Sequence, residues 1–409
     1  MKLKHIKNVT SLLIIFIFNS CIEPYTIKQE DSFEDRLVVE AVLTNQSEYQ
    51  KIILTRTYSL DNVAKNVEEG AIVKVIEDKN VFYLYEEKQP GEYISKVKFN
   101  AKPNKDYKLD IVLKNGKEYS SKKMQLPVES NSDFKLTPYV GRNKIGREGV
   151  YIKYENNNTG GNDSSSFYRF DHSGTYKIVA PNWSPDELEV NSTKRPKLVG
   201  KKNDIGKICY GTDIGIKTFL RNAKDFEGND VEPFNLIFLL KDDHRIYYRY
   251  SLNVKQYVIS NDAYIYYKTL EEFSESDNLF SGIQPGNING NIFSKDEHSE
   301  NVIGFFDVTK VSSKRVFFNY TDFFVKTNPL IDEFYFEPCV KSYPYLESKG
   351  ASQPLSLNEM LSKDLVMFLS ENFSLHTPPQ PGGPYQVVTK NCGDCSAYGN
   401  VIKPNFWID

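Results

Sequence analysis

The sequence predicts a mainly β protein with two immunoglobulin/fibronectin-III-like β-sandwich domains, the second of which carries a helical insertion. Aromatic residues make up 13% of the 409 residues, with 27 Tyr and 26 Phe, and such side chains suit half-buried pleated surfaces. From Arg36 onward, short segments of alternating apolar residues follow one another, as in the strands of a sandwich. Turn dipeptides such as Pro90-Gly91 and Asn115-Gly116 separate these segments.

Residues 1–20 have the organisation of a secretory signal peptide. Three lysines in the first seven residues precede an apolar run over residues 12–18, which is far shorter than the roughly 20 residues that span a bilayer. The run ends in Phe18-Asn19-Ser20-Cys21, which is similar to a bacterial lipobox with Phe where Leu is usual. We therefore expect lipid, including palmitate, on Cys21. Ordinary signal cleavage that leaves a free thiol is the alternative.

Residues 21–35 are polar and acidic and are predicted to be a lipidated tether. The acidic residues either keep the tether solvated or act as a surface-export address. No apolar stretch beyond residue 20 approaches membrane length, so we expect the lipid on Cys21 to be the contact with the membrane. The predicted location is the outer membrane, either surface-exposed or periplasm-facing.

Composition bounds the partners and the number of domains. Without residues 1–20, which hold three lysines and no acid, the formal net charge of −3 becomes −6. A mildly acidic surface argues against nucleic acid as a partner. The residues that remain exceed the length of one usual domain, so two or three domains are expected.

Residues 36–128 are predicted to form the N-terminal β-sandwich. Alternation within the segment from Tyr107 to Ile111 is typical of a half-buried strand, and Tyr107 is a candidate for a tyrosine corner with its hydroxyl bonded to nearby backbone. The predicted strands are Leu37–Leu43, Lys51–Thr57, Ala71–Glu77, Val81–Tyr85, Glu92–Val97, Tyr107–Leu113 and Lys117–Gln125.

Residues 129–409 are predicted to form a C-terminal β-rich domain, with the domain boundary in or just before the polar stretch that ends at Gly149. A helical insertion is expected near 261–280, because capping residues from Ser260 precede apolar residues at helical spacing. A second short helix is expected over Leu355–Leu369. The predicted strands are Val150–Tyr154, Ser166–Asp171, Thr175–Ala180, Ile214–Leu220, Phe234–Lys241, Ile246–Ile259, Val302–Thr309 and Arg315–Tyr320.

Four cysteines follow Cys21, namely Cys209, Cys339, Cys392 and Cys395. An even count in an exported protein favours two disulfides, but four cysteines allow three pairings that the sequence does not separate. Two of them form a C-x-x-C within a Cys-rich tail, 390–409, which is also compatible with a redox or metal motif. No thioredoxin-like unit surrounds this motif and no second C-x-x-C completes a zinc site, so we favour structural disulfides.

The sequence contains no recognised catalytic or metal motif, and we expect neither an enzyme nor a bound cofactor. His172, His244, His298 and His376 lie far apart in the sequence, without H-E-x-x-H, nucleophile elbow or phosphate-binding loop. A Ser-His-Asp set assembled only in space stays open, because triads are defined by geometry, so a hydrolase is the least favoured alternative. The acidic segment 225–232 is predicted to be a solvated loop and not a calcium site.

The chain resembles the lipoproteins of Bacteroidota that are classed as domain of unknown function 4249, and the resemblance covers almost the whole chain after Cys21. Its most specific part is the tail, where Cys392-Gly393-Asp394-Cys395 precedes Lys403-Pro404-Asn405-Phe406-Trp407. Cys209-Tyr210 departs from the family pattern, in which Trp is commoner after the cysteine. The other matching segments are Leu37–Glu40, Gly91–Tyr93, Arg249–Tyr257, Gly290–Ile292 and Val302–Phe306.

The resemblance implies no catalytic residues. It implies a non-catalytic accessory or binding module that accompanies a TonB-dependent outer-membrane barrel, with an unknown small-molecule or peptide ligand. The alternative is a structural envelope, assembly or adhesion lipoprotein without a transport partner.

Overall fold

The computed structural model describes residues 35–57, 66–127, 133–156, 167–190, 195–215, 218–223, 233–275, 288, 290–296, 301–325, 339–347, 355–372 and 382–409. The predicted signal peptide, the lipidation site Cys21 and nearly all of the tether lie outside these residues. So do His298, His376 and the whole of the acidic segment 225–232.

The described chain is mainly β, as predicted, and its first part follows the alternation of the sequence. In the first strand Val39, Ala41 and Leu43 are buried while Glu40 is exposed, because successive side chains of a strand point to opposite faces. The strands are β1 (Leu37–Thr44), β2 (Lys51–Arg56), β3 (Ile72–Glu77), β4 (Val81–Gln89), β5 (Glu92–Ser95), β6 (Asp106–Val112), β7 (Glu118–Ser121) and β8 (Met124–Gln125).

Tyr107 has the expected environment of a corner tyrosine. Its side chain is fully buried on β6, and its hydroxyl oxygen accepts a hydrogen bond of 2.9 Å from the backbone N–H of Lys102. The phenol therefore holds the turn before β6 against the core.

The second part of the described chain contains strands of more varied length, from 2 to 17 residues, and three helices. The strands are β9 (Phe134–Arg142), β10 (Glu148–Asn156), β11 (Phe167–Val179), β12 (Asp186–Glu189), β13 (Lys197–Gly200), β14 (Ile208–Ile214), β15 (Phe219–Asn222), β16 (Phe234–Leu240), β17 (Arg249–Ile259), β18 (Ile292–Ser294), β19 (Ile303–Asn319), β20 (Lys341–Ser342), β21 (Val366–Glu371) and β22 (Tyr385–Thr389). The helices are α1 (Asn261–Glu275), α2 (Leu357–Ser362) and α3 (Lys390–Gly393).

Two pairs of predicted strands are single long strands, so the predicted breaks at residues 172–174 and 310–314 were wrong. In β11 the polar segment Asp171–Gly174 keeps its pairing with β17, from Asp171 opposite Lys255 to Gly174 opposite Leu252. A Cβ on Gly174 would lie 2.1 Å from the Tyr250 hydroxyl, so the glycine makes room for that ring and does not end the strand. In β19 the polar middle likewise stays paired with β17.

The helix predicted over Leu355–Leu369 was partly wrong, because only Leu357–Ser362 is helical. Ser356 begins this helix with a capping box to Glu359. Asp364 then adopts a left-handed conformation with φ of 54°, and Val366 starts strand β21, whose alternating Val366 and Phe368 are buried. The single strand predicted over Ile214–Leu220 was also wrong, since β14 ends at Ile214 and β15 begins at Phe219.

One sheet connects both parts of the described chain. Fourteen of the described strands belong to it, and the connection is a parallel pair in which β1 runs beside β19, with Val38 opposite Ile303 and Thr44 opposite Thr309. The remainder of β19, from Lys310 onward, pairs antiparallel with β17. Side chains of β19 consequently contribute to the core around β1 to β7 and to the core around β10, β11 and β17.

Asn291 completes the backbone hydrogen bonding of β19. Its side-chain amide donates to the Phe306 carbonyl at 2.9 Å and accepts from the Phe306 N–H at 2.7 Å, and the side chain is 5% exposed. A single side chain thus provides both bonds that a neighbouring strand would otherwise make.

Asn291→Ala is expected to lower the free energy of unfolding by about 2–4 kcal/mol, because it leaves a buried donor and a buried acceptor unsatisfied. Urea denaturation followed by circular dichroism measures this loss. Asn253→Ala is the matched control, since the Asn253 amide accepts an exposed hydrogen bond from Ser313, and its expected cost is below about 1 kcal/mol. An equal loss of unfolding free energy in the two variants would contradict the conclusion that Asn291 stabilises β19 through its hydrogen bonds.

Candidate functional site

The four described cysteines form two disulfides, which the even cysteine count predicts. Cys209 on β14 pairs with Cys395, and Cys339 pairs with Cys392. Cys209, Cys392 and Cys395 are almost fully buried within one apolar cluster beside Ile178 and Val388. Each cysteine of the C-x-x-C is thus bonded to a distant cysteine and not to its neighbour. The described residues contain no group of three His, Cys, Asp or Glu side chains that could hold a metal ion.

The tail after Cys395 packs against residues of β14, β17 and β19. Trp407 is 5% exposed and packs edge-on against Tyr210 and Phe317, with ring centroids 5.0 and 5.6 Å away. The Arg249 Nε donates to the Ile408 carbonyl at 2.6 Å, and the Arg315 guanidinium lies 3.6 Å from the centre of the Phe406 ring. The tail is therefore part of the packing in this structure.

A cleft of about 840 Å³ lies under helix α1, on the face of the sheet opposite to the N-terminal core. Because paired residues of neighbouring strands point to the same face, Val38, Glu40 and Val42 of β1 share this face with Ile303 and Phe305 of β19. Clefts of about 300–1,000 Å³ are typical of small-ligand sites.

Helix α1 forms the roof of the cleft and begins where the sequence predicts. The Ser260 hydroxyl accepts from the Ala263 N–H at 3.1 Å, which satisfies a free donor of the first turn. Tyr266, Tyr267 and Leu270 lie on the face of the helix that lines the cleft. The Tyr266 ring packs against Phe305 with centroids 5.3 Å apart, so the helix is anchored beside the opening.

Arg169 on β11 is the buried cation of the cleft, with 8% of its surface exposed. Its guanidinium lies over the rings of Tyr257 and Tyr267, 4.3 and 4.6 Å from their centres. Its Nε has no hydrogen-bond partner among the described residues, and the Asp171 carboxylate lies 3.6 Å from Nη2, beyond a good hydrogen bond. Burial lowers the pKa of Arg169, but Tyr267, Asp171 and Asp307 together raise this pKa by a larger amount. The Arg169 guanidinium therefore stays charged.

Asp307 lies behind this cation and is fully buried. Its Oδ1 has no partner in the described chain, and its Oδ2 accepts from the Tyr267 hydroxyl at 3.4 Å. Burial raises the pKa of Asp307 to about 6, against the opposing effect of Arg169. Arg169, Tyr267 and Asp307 therefore form a buried polar group whose hydrogen-bonding capacity is only partly used.

Carboxylates surround the rest of the cleft. Glu40, Asp171 and Glu271 line it together with Arg169, while the remaining lining is largely aliphatic and aromatic. Glu40 is exposed and makes no hydrogen bond or ion pair within the described residues. The cleft thus combines one buried guanidinium, an apolar wall and an acidic rim.

Sequence patterns did not identify this site. Arg169 and Asp307 occupy ordinary alternating positions of two strands, and the residues of α1 that line the cleft were predicted only as part of a helical insertion. The signal that was present is a charged residue within an apolar run, as in Phe167–Phe170 and Phe305–Val308. The described histidines, His172 and His244, lie outside the cleft lining, and burial lowers the pKa of both.

Trp183 proves to hold a loop in place. Its indole Nε1 donates to the Ile205 carbonyl at 3.3 Å, and Lys201 and Lys207 lie 5.0 and 4.7 Å from its ring. These contacts hold Trp183 against the chain around Ile205.

Among the helices that the structure describes, none is both long and apolar enough to cross a membrane. A family model described as "Domain of unknown function (DUF4249)" matches residues 22–315. No curated protein matches the chain. A solved structure described as "Biofilm associated protein - BSP domain" aligns with this chain at 8% sequence identity and a TM-score of 0.13. The alignment covers 68% of this chain and 58% of the chain of that structure. The chain thus spans less than two thirds of that protein, and so low a score carries no argument about fold or function.

Proposed function

Because the chain belongs to the family described as domain of unknown function (DUF4249), we propose that it is a non-catalytic binding module held at the outer membrane by lipid on Cys21. The observation that supports binding is the cleft under α1, where Arg169 is buried beside unused hydrogen-bonding capacity. Buried polar groups are nearly always satisfied, so a cleft in which the Arg169 Nε–H has no partner within the described residues favours a site that is completed by a ligand.

The anchoring part of the proposal rests on residues 1–21. A short apolar run between lysines and a cysteine suits export followed by lipidation. Several acyl chains would give a stable attachment where one is marginal. The acidic tether would then let the module reach a partner in or beside the same membrane.

The partner in this proposal is a TonB-dependent outer-membrane barrel, to which the module would deliver or present a ligand. Two immunoglobulin/fibronectin-III-like sandwiches are proposed as its framework, one centred on the core around Leu109 and the other on the core around Leu252. The parallel pairing of β1 with β19 would fix the two sandwiches to each other.

Mild detergent extraction of cells that produce the tagged full chain tests this function. The expected result is recovery from the outer-membrane fraction together with a large β-barrel protein, and loss of both on Cys21→Ser. Glu23→Gln is the matched control and should behave as the unmodified chain. Recovery as a lone monomer from the outer membrane would contradict the transport partnership and favour a structural envelope role. Membrane retention of the Cys21→Ser variant would contradict lipid anchoring.

A further inference from the structure

Arg169 and the acidic rim present opposite charges to the same apolar cleft. The Arg169 guanidinium lies over the ring of Tyr267, a residue of helix α1. Glu40 lies opposite Phe305 in the β1–β19 pair, and Phe305 packs against the neighbouring Tyr266. Arg169 and Glu40 both line the cleft but form no ion pair with each other within the described residues, so they do not neutralise each other by direct contact.

A guanidinium whose Nε–H has no partner within the described residues fits a carboxylate. The planar fork of arginine binds carboxylates through two parallel hydrogen bonds, and the Tyr257 and Tyr267 rings hold the Arg169 fork in place. Its nearest protein carboxylate, Asp171, is too distant for a good hydrogen bond. An incoming carboxylate would thus meet a preorganised partner.

The rim excludes a simple anion as the best occupant. Three carboxylates line the cleft, from Glu40, Asp171 and Glu271. Asp171 lies 3.6 Å from Arg169 and Glu271 lies near the Arg221 cation, whereas Glu40 makes no ion pair within the described residues. A ligand that is only negative leaves the charge of Glu40 without a partner, whereas a ligand that carries an ammonium group as well is attracted at both ends. The aliphatic wall, which includes Val38, Val42 and Leu270, requires an apolar body between the charges.

We propose that the cleft under α1 binds a short apolar peptide with free termini, its carboxylate on Arg169 and its ammonium group at the rim near Glu40. This inference rests on the proposed binding function and specifies its ligand. An extended peptide spans about 3.3–3.6 Å per residue, so peptides of three to five residues sample end-to-end lengths of about 10–18 Å. Val38, Val42 and Leu270 contact the peptide side chains.

Isothermal titration calorimetry of the purified Cys21→Ser full chain tests the ligand class. The probes are trileucine and Leu-Ala-Leu-Ala-Leu, each also as the C-terminal amide and as the N-acetyl form. At least one free peptide is expected to bind, with affinity about tenfold or more weaker for its amide, because two charge-assisted hydrogen bonds are lost. N-acetylation is expected to weaken binding severalfold. No binding by either free peptide, or equal binding of the free and amidated forms, would overturn the proposal.

Two variants assign the ends of the peptide. Glu40→Gln changes an exposed side chain and is expected to reduce the affinity for the free peptide while leaving the affinity for its N-acetyl form unchanged. Arg169→Gln is expected to abolish the difference between the free carboxylate and the amide. Arg315→Gln is the control, because the Arg315 guanidinium also lies over an aromatic ring but outside the cleft.

Decanoate, which has an apolar body and a carboxylate but no cation, is the discriminating ligand. Binding of decanoate as tight as that of the free peptide would overturn the peptide assignment in favour of a fatty acid. These outcomes are independent of the detergent extraction, which reports on the membrane partner. A protein that co-purifies with a barrel but binds no peptide would retain its proposed function and lose the proposed ligand.

Discussion

Arg169→Met is expected to lower the free energy of unfolding by about 2–3 kcal/mol at pH 8, because it leaves the buried Asp307 without its compensating cation and protonating a group with a pKa of about 6 costs about 1.4 kcal/mol per pH unit. The unfolded pKa of an aspartate is roughly 3.9, and the folded pKa of Asp307 is about 6. Stability from this group is therefore lost as pH rises from about 4 to about 6, since the unfolded chain releases the proton first.

The raised pKa of Asp307 also determines how the destabilisation by Arg169→Met depends on pH. Without Arg169, which lowers the pKa of Asp307, the folded pKa rises further and the loss continues above pH 6. The gap between the unmodified chain and the variant should thus be smallest near pH 5 and widen toward pH 8. Urea denaturation at several pH values measures it.

The double variant Arg169→Met/Asp307→Asn removes both charges and is expected to recover most of the stability that is lost at pH 8. Arg315→Met serves as the control for the loss of a ring-stacked guanidinium and should show no such widening with pH. A penalty for Arg169→Met that is the same at pH 5 and pH 8 would contradict the coupling to Asp307.

Removal of the Cys209–Cys395 disulfide by paired alanine substitutions is expected to cost about 2–5 kcal/mol of unfolding free energy. This bond joins residues 186 positions apart, whereas Cys339–Cys392 spans 53. In the chain-entropy model the disulfide that closes the longer loop stabilises the fold more, so Cys209–Cys395 is expected to contribute about 1 kcal/mol more than Cys339–Cys392. Cys209 is also fully buried, so its replacement disturbs packing more than that of the half-buried Cys339.

Thermal unfolding of the two double-alanine variants, measured without reductant, compares the disulfides. The Cys209→Ala/Cys395→Ala protein should unfold at the lower temperature. Val401→Ala, at a partly exposed position of the same tail, is the control for a substitution that leaves both bonds intact. Unfolding temperatures equal to that of the unmodified chain would show that the tail is held by its aromatic contacts alone.

Local alternation was sufficient to predict most strands of the first part of the chain, although the single strand predicted over Lys117–Gln125 was wrong, since it is divided into β7 and β8. β1 to β7 are short and separated by turn dipeptides such as Asn115-Gly116, so each strand is recognisable by itself. β11 and β19 were divided incorrectly because their polar middles, for example Asp171–Gly174, are stabilised by neighbours that lie far away in the sequence. Propensity cannot report such pairing, since tertiary contacts decide it.

The candidate site was not predictable for a related reason. Arg169, Tyr257, Tyr267 and Asp307 come from β11, β17, α1 and β19, and no spacing relates them. The count of four cysteines predicted two disulfides, yet their pairing depends on which strands meet, so it required the structure. The anchor at Cys21 stays a prediction from residues 1–21.

The parallel pairing of β1 with β19 also bears on the order in which the chain can fold. β1 is among the first strands to be synthesised, but one of its neighbours follows only at Ile303. Until then the edge of β1 exposes unpaired backbone groups, and such edges pair readily with other chains. Contacts so distant in sequence also form slowly. A newly made chain would therefore remain vulnerable to aggregation until almost three quarters of it is present, and a chaperone that covers the β1 edge during this interval would raise its yield.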